Sequence, residues 1–358
     1  MDDLRPGGVA LLLWLALACA PAAPPGPAAA SPLPAASGAA AAGSSTVPAA
    51  APPTPVALRI GLNTPSAEVA PFWIAKEEGF FARYGIEATL ETIPGAELII
   101  AAVLSGEVPI TALAAPALIN SVLGGSDLVF IGSYANTLRF QLFARPEIAT
   151  VQDLRGRPVA ITGRAGIIRR ATDLALRRNG LDPERDVTLV ATGNVPNSLS
   201  ALLAGAVDAA MLSPPATFRA EDEGLRLLVD TAEYRYPTIL QGVAARRSWL
   251  AQHEDLARRV LQALSEGLAF AQQQKERTKE IIGQYTQNAD PVTLERTYHA
   301  LVPGWERIPY APPEAIRSDL EAVVEDNPAA RSAQPEQFVD NRLVEALDRG
   351  GFFRRLYP

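Results

Sequence analysis

Cysteine and histidine are almost absent from this chain of 358 residues, which has a single cysteine, Cys19, and two histidines, His253 and His299. One cysteine excludes a disulfide framework, and so few Cys and His side chains leave little with which to bind a transition metal. A serine triad would need one of the histidines, and both lie in polar, helix-like segments that favour the surface. No GxxxxGK(S/T), GxGxxG or HExxH motif occurs. These absences predict a protein that is not an enzyme and that holds no metal or cofactor.

An excess of positive charge is also lacking. The chain has 32 Lys and Arg against 39 Asp and Glu, a net charge of −7. Nucleic-acid binding relies on clustered basic side chains, so we expect no nucleic-acid partner. The residues are 48% hydrophobic. About 300 of them follow the N-terminal segments, enough for two lobes of ordinary size.

The N-terminal segment carries an uncharged apolar run from Val9 to Ala20. This run is shorter than the roughly 20 residues that a membrane-spanning helix needs, and it is typical of a signal peptide. The four residues before Cys19 resemble a bacterial lipobox, although Ala16 stands where the pattern usually has Leu. We therefore expect residues 1–19 to be a signal peptide with a lipobox, and Cys19 to be lipidated.

Two alternatives for Cys19 stay open: a plain cleaved secretory signal and an unprocessed structural cysteine. A catalytic thiol is disfavoured, because a nucleophilic cysteine needs a positioned base in a folded site. Residues 20–55 are almost entirely Ala, Pro, Gly, Ser and Thr. Such a segment has too little apolar surface to offset the entropy of ordering. We expect a disordered tether, and a protein that is extracytoplasmic, in the periplasm or at the cell surface, and lipid-anchored.

Strand and helix patterns alternate after the tether. Apolar, β-branched runs such as "PVALRIGL" predict strands, and amphipathic runs such as "PFWIAKEEGFFARYG" predict helices. The order β-α-β-α-β-α predicts an α/β fold in which each lobe is a mostly parallel sheet flanked by helices. The pattern restarts at "TVQDLRGRPVAIT", and the strand "TILQGVAAR" returns to the first lobe. We predict lobe I at 56–149 and 238–358 and lobe II at 150–237, with two hinge crossings that allow the lobes to close on a ligand.

A ligand site is expected beyond the carboxyl ends of the strands, where helix N-termini present unpaired N–H groups. Small, hydroxyl and amide side chains follow the predicted strands there, although such residues also simply make turns. Arg164 is a candidate contact for a ligand anion. Phe72 could stack on a flat ligand or pack in the core, and Tyr236 could close over the ligand or pack in the hinge. The remaining candidates are Asn63, Thr64, Ala115, Ser133, Tyr134, Asn136, Gly166, Asn194 and Ser213.

Several phrases in order carry a family resemblance. "PFWIAKEEGFFARYGIEATLETIPGAELIIAAVLSGEVPITAL", "DLRGRPVAI" and "LSALLAGAVDAAMLSPPATFRAEDEGLRLLVDT" resemble type II periplasmic binding proteins of ABC importers, in the group that binds nitrate, sulfonates, taurine or thiamine-precursor pyrimidines. The resemblance covers roughly residues 56–300. It implies a monomeric receptor that closes on a small organic solute and delivers the solute to an ABC permease. Anions are one class of solute that the receptor could bind.

One departure from the family pattern leaves the ligand unnamed. Relatives often carry a Gly-Ser-Thr stretch at the start of the second-lobe helix, where this chain has Gly166-Ile167-Ile168-Arg169. Two other functions stay open: a sensing module for a partner receptor, and an enzyme on the same fold, as in the thiamine-pyrimidine synthases. Those enzymes use His and Cys chemistry that this chain lacks.

Replacing Cys19 with serine tests the anchor, because serine lacks the thiol that a lipid would modify. We expect Cys19→Ser to move the protein from the membrane fraction to the soluble fraction, as measured by cell fractionation and immunoblotting. Unchanged retention of the variant in the membrane fraction would contradict the lipid-anchor hypothesis.

Overall fold

Ten strands form two separate five-stranded sheets in the computed structural model, which describes residues 55–164, 166–324 and 327–358. The predictions for the signal peptide, for Cys19 and for the tether up to residue 54 lie outside these residues. The strands, in chain order, are β1 (Val56–Leu62), β2 (Ile86–Thr92), β3 (Ile110–Leu113), β4 (Leu128–Thr137), β5 (Gln141–Ala144), β6 (Pro158–Ile161), β7 (Thr188–Ala191), β8 (Ala209–Leu212), β9 (Arg226–Asp230) and β10 (Pro237–Arg246).

Helices connect most of these strands and continue the chain after β10. Within the described ranges, no helix combines the length and the apolar character needed to cross a membrane. The helices are α1 (Ala70–Glu77), α2 (Phe80–Arg83), α3 (Ala96–Ser105), α4 (Ala115–Leu123), α5 (Ile167–Arg178), α6 (Val195–Leu203), α7 (Ala216–Asp222), α8 (Arg247–Gln273), α9 (Lys275–Thr286), α10 (Pro291–Leu301), α11 (Pro313–Val323), α12 (Arg342–Arg349) and α13 (Phe352–Leu356).

Both sheets have the same plan. In the first, with the order β2-β1-β3-β10-β4, β1 is parallel to β2 and β3, and β10 lies antiparallel between β3 and β4. In the second, with the order β7-β6-β8-β5-β9, β6 is parallel to β7 and β8, and β5 lies antiparallel between β8 and β9. One strand of each sheet therefore runs against the other four. The predicted α/β class, with two lobes and mostly parallel sheets, is confirmed.

The first crossing between the lobes comes earlier than the sequence pattern predicts. The run "LRFQLFAR" at 138–145 falls within the predicted lobe I, but its strand β5 pairs with β8 and β9 of the second sheet. The chain thus changes sheet between Thr137 and Gln141, and the predicted boundary at 149/150 is wrong. The reason is physical: an apolar alternation marks a strand but does not say which sheet the strand joins. The return crossing ends where β10 begins, at Pro237.

A single helix over "PFWIAKEEGFFARYG" is also wrong, because the segment forms two short helices. Gly79 separates α1 from α2 and has φ +70°, a left-handed conformation that side chains with a Cβ rarely adopt. The break does not disturb the burial of the aromatic side chains. Trp73 is buried and stacks on Tyr285 of α9, with ring centroids 4.8 Å apart.

Apolar side chains fill both faces of the first sheet. Successive strand residues point to opposite faces, so Ile131 and Val243 join the cluster that contains α8, whereas Phe130 and Ala244 join the cluster that contains α3, α4 and α11. All four are fully buried. Burial of a large aliphatic or aromatic side chain contributes about 1.5–3 kcal/mol. The layers that this burial builds fix the strand ends from which the functional loops project.

Gly267 allows α8 to pack closely against α1. A Cβ added at Gly267 would lie 2.6 Å from the Pro71 carbonyl oxygen and 3.4 Å from the Ala75 nitrogen. Both atoms belong to the backbone of α1, so neither can rotate away as a side chain could.

Substituting Gly267 with alanine is expected to lower the free energy of unfolding by about 1–3 kcal/mol, because overpacking outweighs alanine's helix propensity. Urea denaturation measures the change. As a control, Glu254→Ala, at an exposed position of the same helix, should stay within about 0.5 kcal/mol of the wild type. An unchanged or higher stability of Gly267→Ala would contradict the close-packing argument.

Candidate functional site

A cavity of about 580 Å³ lies between the two sheets, at the ends of strands from both lobes. Its wall includes the loops after β1, β3, β6, β7 and β8 and the first turns of the helices that follow them. This is the edge at which open α/β sheets bind ligands. The volume falls within the range of roughly 300–1,000 Å³ that small-molecule sites occupy.

The loop after β1 forms one side of the wall. The Ser66 backbone N–H donates to Thr64 Oγ1 at 3.3 Å, which holds the loop in a tight turn. Asn63 lies at the start of this loop, and its Oδ1 atom is buried without a hydrogen-bond partner among the described residues. A buried carbonyl oxygen without a donor is uncommon, because losing its hydrogen bonds to water costs free energy.

Glu68 follows on the same wall and is only 8% exposed. Burial raises the pKa of its carboxyl to about 7, while hydrogen bonds from Gln241, Ser66 and Ser213 act in the opposite direction. No basic side chain contributes to this balance. The Tyr134 hydroxyl donates to the Glu68 backbone oxygen at 3.1 Å and so fixes the turn that carries the carboxyl.

Gln241 stands in the middle of β10, a strand whose other buried residues, apart from Thr238, are apolar or glycine. Its side chain is 2% exposed and contributes to the cavity wall. Its amide faces the Glu68 carboxyl, and its Oε1 atom has no hydrogen-bond partner among the described residues. The first lobe therefore presents a buried carboxyl and two unpartnered carbonyl oxygens to one cavity.

The second lobe contributes small and capping residues. Gly166 precedes α5 with φ +99°, and Asn194 caps α6 by accepting the Asn197 N–H at 2.8 Å on its Oδ1 atom. Behind this cap the Thr192 and Ser198 hydroxyls lie 2.6 Å apart. Apolar surface completes the wall on this side. It comes from Phe140, Ile167, Ile168, Val195 and Leu199.

Five of the predicted ligand residues line the cavity together: Asn63, Thr64, Gly166, Asn194 and Ser213. Each of them lies within two residues after a strand or immediately before a helix. That is the placement that the strand-end rule selects.

Four predicted residues are held inside the first lobe instead of the cavity wall. The Phe72 and Tyr134 rings are fully buried and pack edge to face, with centroids 6.2 Å apart. Ser133 Oγ donates to Asn136 Oδ1 at 2.5 Å, and Asn136 Nδ2 donates to the Tyr310 backbone oxygen at 3.5 Å. These groups satisfy one another, which leaves none of them facing the cavity.

The other three predicted residues do not line the cavity. Ala115 is fully buried, and its neighbour Ala114 takes the lining position. Arg164 is exposed and absent from the wall. Tyr236 lies between the lobes: its hydroxyl accepts from Arg170 of α5 at 3.1 Å and donates to the Ser318 backbone oxygen of α11 at 2.5 Å.

Charged groups of the wall stand mostly at its rim. Among the described residues, Arg219 is the only Lys or Arg that lines the cavity, and its side chain is 65% exposed and paired with Glu223 at 3.7 Å. Glu97 and Asp222 are exposed members of the same wall. Asp222 pairs with Arg296 across the lobes at 3.2 Å. The site is therefore acidic on balance.

Sequence reasoning missed Glu68 and Gln241, which form the polar centre of the first-lobe wall. The sequence does mark both residues as isolated polar side chains in apolar runs. Glu68 is the single charge in "SAEVAPFWIA", and Gln241 is the single amide in "TILQGVAA". Thr286, Asn288 and Thr293 also line the cavity from the α9–α10 region. Their place in the sequence, far from any strand end, gives no such signal.

In the part of the chain that the structure describes, no group of three or more His, Cys, Asp or Glu side chains could hold a metal ion. His253 and His299 are both exposed. His253 contacts the Trp249 backbone oxygen at 3.0 Å, and His299 contacts Glu295 at 2.9 Å. Neither residue lines the cavity.

Two mixed sheets joined by two crossings, with a cavity between them at their strand ends, define the fold of type II periplasmic binding proteins. The family model described as NMT1/THI5 like matches residues 66–278, which is more than half of the chain. The chain belongs to this family.

Individual relatives are distant in sequence. YtlA of Bacillus subtilis (strain 168) is 22% identical over 216 residues, or 58% of this chain and 64% of YtlA, so the chain spans less than two thirds of that relative. The periplasmic aliphatic sulphonate binding protein SsuA of Escherichia coli superposes with a TM-score of 0.64 at 20% identity, over 82% of this chain and all of SsuA (100%). The periplasmic nitrate-binding protein NrtA of Synechocystis PCC 6803 superposes with a TM-score of 0.64 at 14% identity, over 85% of this chain and 91% of NrtA. These likenesses show the fold.

The raised pKa of Glu68 makes folding depend on pH with a defined sign. The folded pKa of about 7 exceeds the ordinary value of 4.5, so the ionised form disfavours the folded state. This penalty is absent below about pH 4.5, grows between pH 4.5 and 7, and stays constant above pH 7. We expect Glu68→Gln to gain about 3 kcal/mol of stability relative to the wild type across that window.

Urea denaturation of both proteins at about pH 4.5 and about pH 8 measures this difference. Glu97→Gln, which removes an exposed carboxyl from the same wall, serves as the matched control and should follow the wild type. A Glu68→Gln curve parallel to that of the wild type would show that folding does not raise the pKa of the Glu68 carboxyl.

Proposed function

We propose that this chain is the extracytoplasmic solute-binding component of an ABC importer. It captures a small organic solute between its lobes, closes on the solute by hinge motion and delivers it to a permease. The observation that carries the proposal is the cavity of about 580 Å³ between two lobes that the chain joins at two crossings.

The architecture supports capture and release rather than permanent binding. Two lobes on a two-stranded hinge can open and close as nearly rigid bodies. A cavity lined by both lobes gives a solute contacts with each of them, so binding favours the closed arrangement. Asn63 and Thr64 on one lobe and Gly166, Asn194 and Ser213 on the other are the proposed ligand contacts.

The relatives support the transport role. Both SsuA and NrtA are named as periplasmic binding proteins, one for aliphatic sulphonates and one for nitrate. A chain of the same fold and of the NMT1/THI5-like family fits the same role with a solute of its own. In this proposal the protein acts as a monomer, and a lipid on Cys19 together with the tether holds it at the membrane.

Filling the mouth of the cavity tests solute capture. Ser200 is an exposed residue of α6 on the cavity wall, so a large side chain there costs little folding energy but occupies the space of a ligand. We expect native mass spectrometry of the purified wild type to reveal a bound small molecule. The Ser200→Trp variant should lose this molecule.

Ser105→Trp is the matched control, because Ser105 is exposed on α3 and does not line the cavity. It should retain the bound molecule and the melting temperature that the molecule confers. Conversion of the bound molecule to a product by the purified protein would contradict the receptor function. So would the absence of any bound molecule together with no thermal shift across a broad solute library.

A further inference from the structure

We infer that the cavity recognises a protonated amine or an amidinium group, held by Glu68, Gln241 and Asn63, on a solute with an apolar body. This inference rests on the proposed solute-binding function and names the chemical class of the solute. It differs from the anions that appear in the names of SsuA and NrtA.

Unpartnered acceptors are the first observation. Gln241 Oε1 and Asn63 Oδ1 are buried, lack hydrogen-bond partners among the described residues and belong to one cavity wall. Both are carbonyl oxygens, which only accept hydrogen bonds. Buried acceptors are normally satisfied, so the missing groups are donors, and an N–H-rich ligand supplies them.

Glu68 adds a buried carboxyl without a countercharge. The groups that face it are the Ser66 hydroxyl from its own loop, Ser213 from the end of β8, Gln241 from β10 and the Tyr134 phenol from β4. None of these carries a positive charge. A carboxyl that is more than nine-tenths buried either stays protonated or pairs with an ion of opposite charge, and a cationic ligand head provides that charge from outside the chain.

The cavity wall has little positive charge with which to bind an anion. Arg219 is the sole Lys or Arg on the described part of the wall, and it is exposed and already paired with Glu223. Glu97 and Asp222 add negative charge at the rim. An anion next to Glu68 would be repelled, or would require the carboxyl to stay protonated.

The helix N-termini around the cavity argue against a cationic ligand, because they favour anions. That interaction is modest for a single helix end and falls off within one turn. At α6 the Asn194 side chain already accepts one of the unpaired N–H groups. The buried carboxyl acts in less polar surroundings, where the attraction between unlike charges is stronger.

The solute body is apolar on the second-lobe side. Phe140, Ile167 and Ile168 line the wall there. Benzamidine and benzylamine combine a flat apolar body with the proposed head group. Benzoate and benzenesulfonate keep the same ring and reverse the charge, which makes them matched probes.

Isothermal titration calorimetry tests the inference on the full chain after removal of co-purified solute by partial unfolding and refolding. At about pH 8 we expect benzamidine or benzylamine to bind at least tenfold more tightly than benzoate and benzenesulfonate. In the wild type, affinity for the cation should fall about tenfold per pH unit below about pH 7, because only ionised Glu68 attracts it.

The variant Glu68→Gln should weaken cation binding at least tenfold and remove its pH dependence, with an unchanged circular dichroism spectrum. Glu254→Gln, which changes an exposed carboxyl that does not line the cavity, should bind as the wild type does. The pH profile of the wild type gives a second readout that needs no variant.

Three outcomes would overturn the inference. These are tighter binding of benzoate or benzenesulfonate, unchanged cation affinity in Glu68→Gln, and no binding of any of the four probes. None of them removes the proposed function, which the bound molecule in native mass spectrometry supports independently. Conversely, a protein that binds amidines but also converts them would defeat the receptor function while leaving the head-group assignment intact.

Discussion

Direct hydrogen bonds between the two crossings are the constraint on which the rest of the structure depends. The Leu138 N–H donates to the Tyr236 oxygen at 3.1 Å, and the Thr231 N–H donates to the Phe140 oxygen at 2.9 Å. Buried Thr231 adds its hydroxyl, which accepts the Phe140 N–H at 2.8 Å. Because the crossings lie side by side, the strand ends of both sheets meet over one cavity.

Polar side-chain contacts also link the two lobes. Arg170 reaches Tyr236, whose hydroxyl in turn reaches Ser318, and Arg296 pairs with Glu221 and Asp222 of α7. Exposed ion pairs of this kind contribute little, about 0–1 kcal/mol each. These ion pairs therefore add little to the free energy that holds the lobes together.

Sequence patterns predicted the elements and the edge of the site, but not what the tertiary structure does with particular side chains. Loop residues such as Asn63 and Gly166 follow from strand ends, which are local features. Phe72 and Tyr134 also lie close in sequence to strand ends. Their rings nevertheless pack on each other, because burial of an aromatic ring is more favourable in free energy than exposure to a wet cavity. Glu68 was missed because burial of a carboxyl depends on β8 and β10, strands far away in the chain.

A buried carboxyl that lowers stability above pH 4.5 needs a reason to persist. Gln241 could satisfy a neutral neighbour equally well, and an apolar residue at position 68 would remove the penalty altogether. The loss of stability is explained if the ionised carboxylate pairs with a positive charge that the chain does not contain. In a receptor, such an incomplete site has a second use: the countercharge arrives with the solute, so the stabilisation that closes the lobes is available only when the solute is bound.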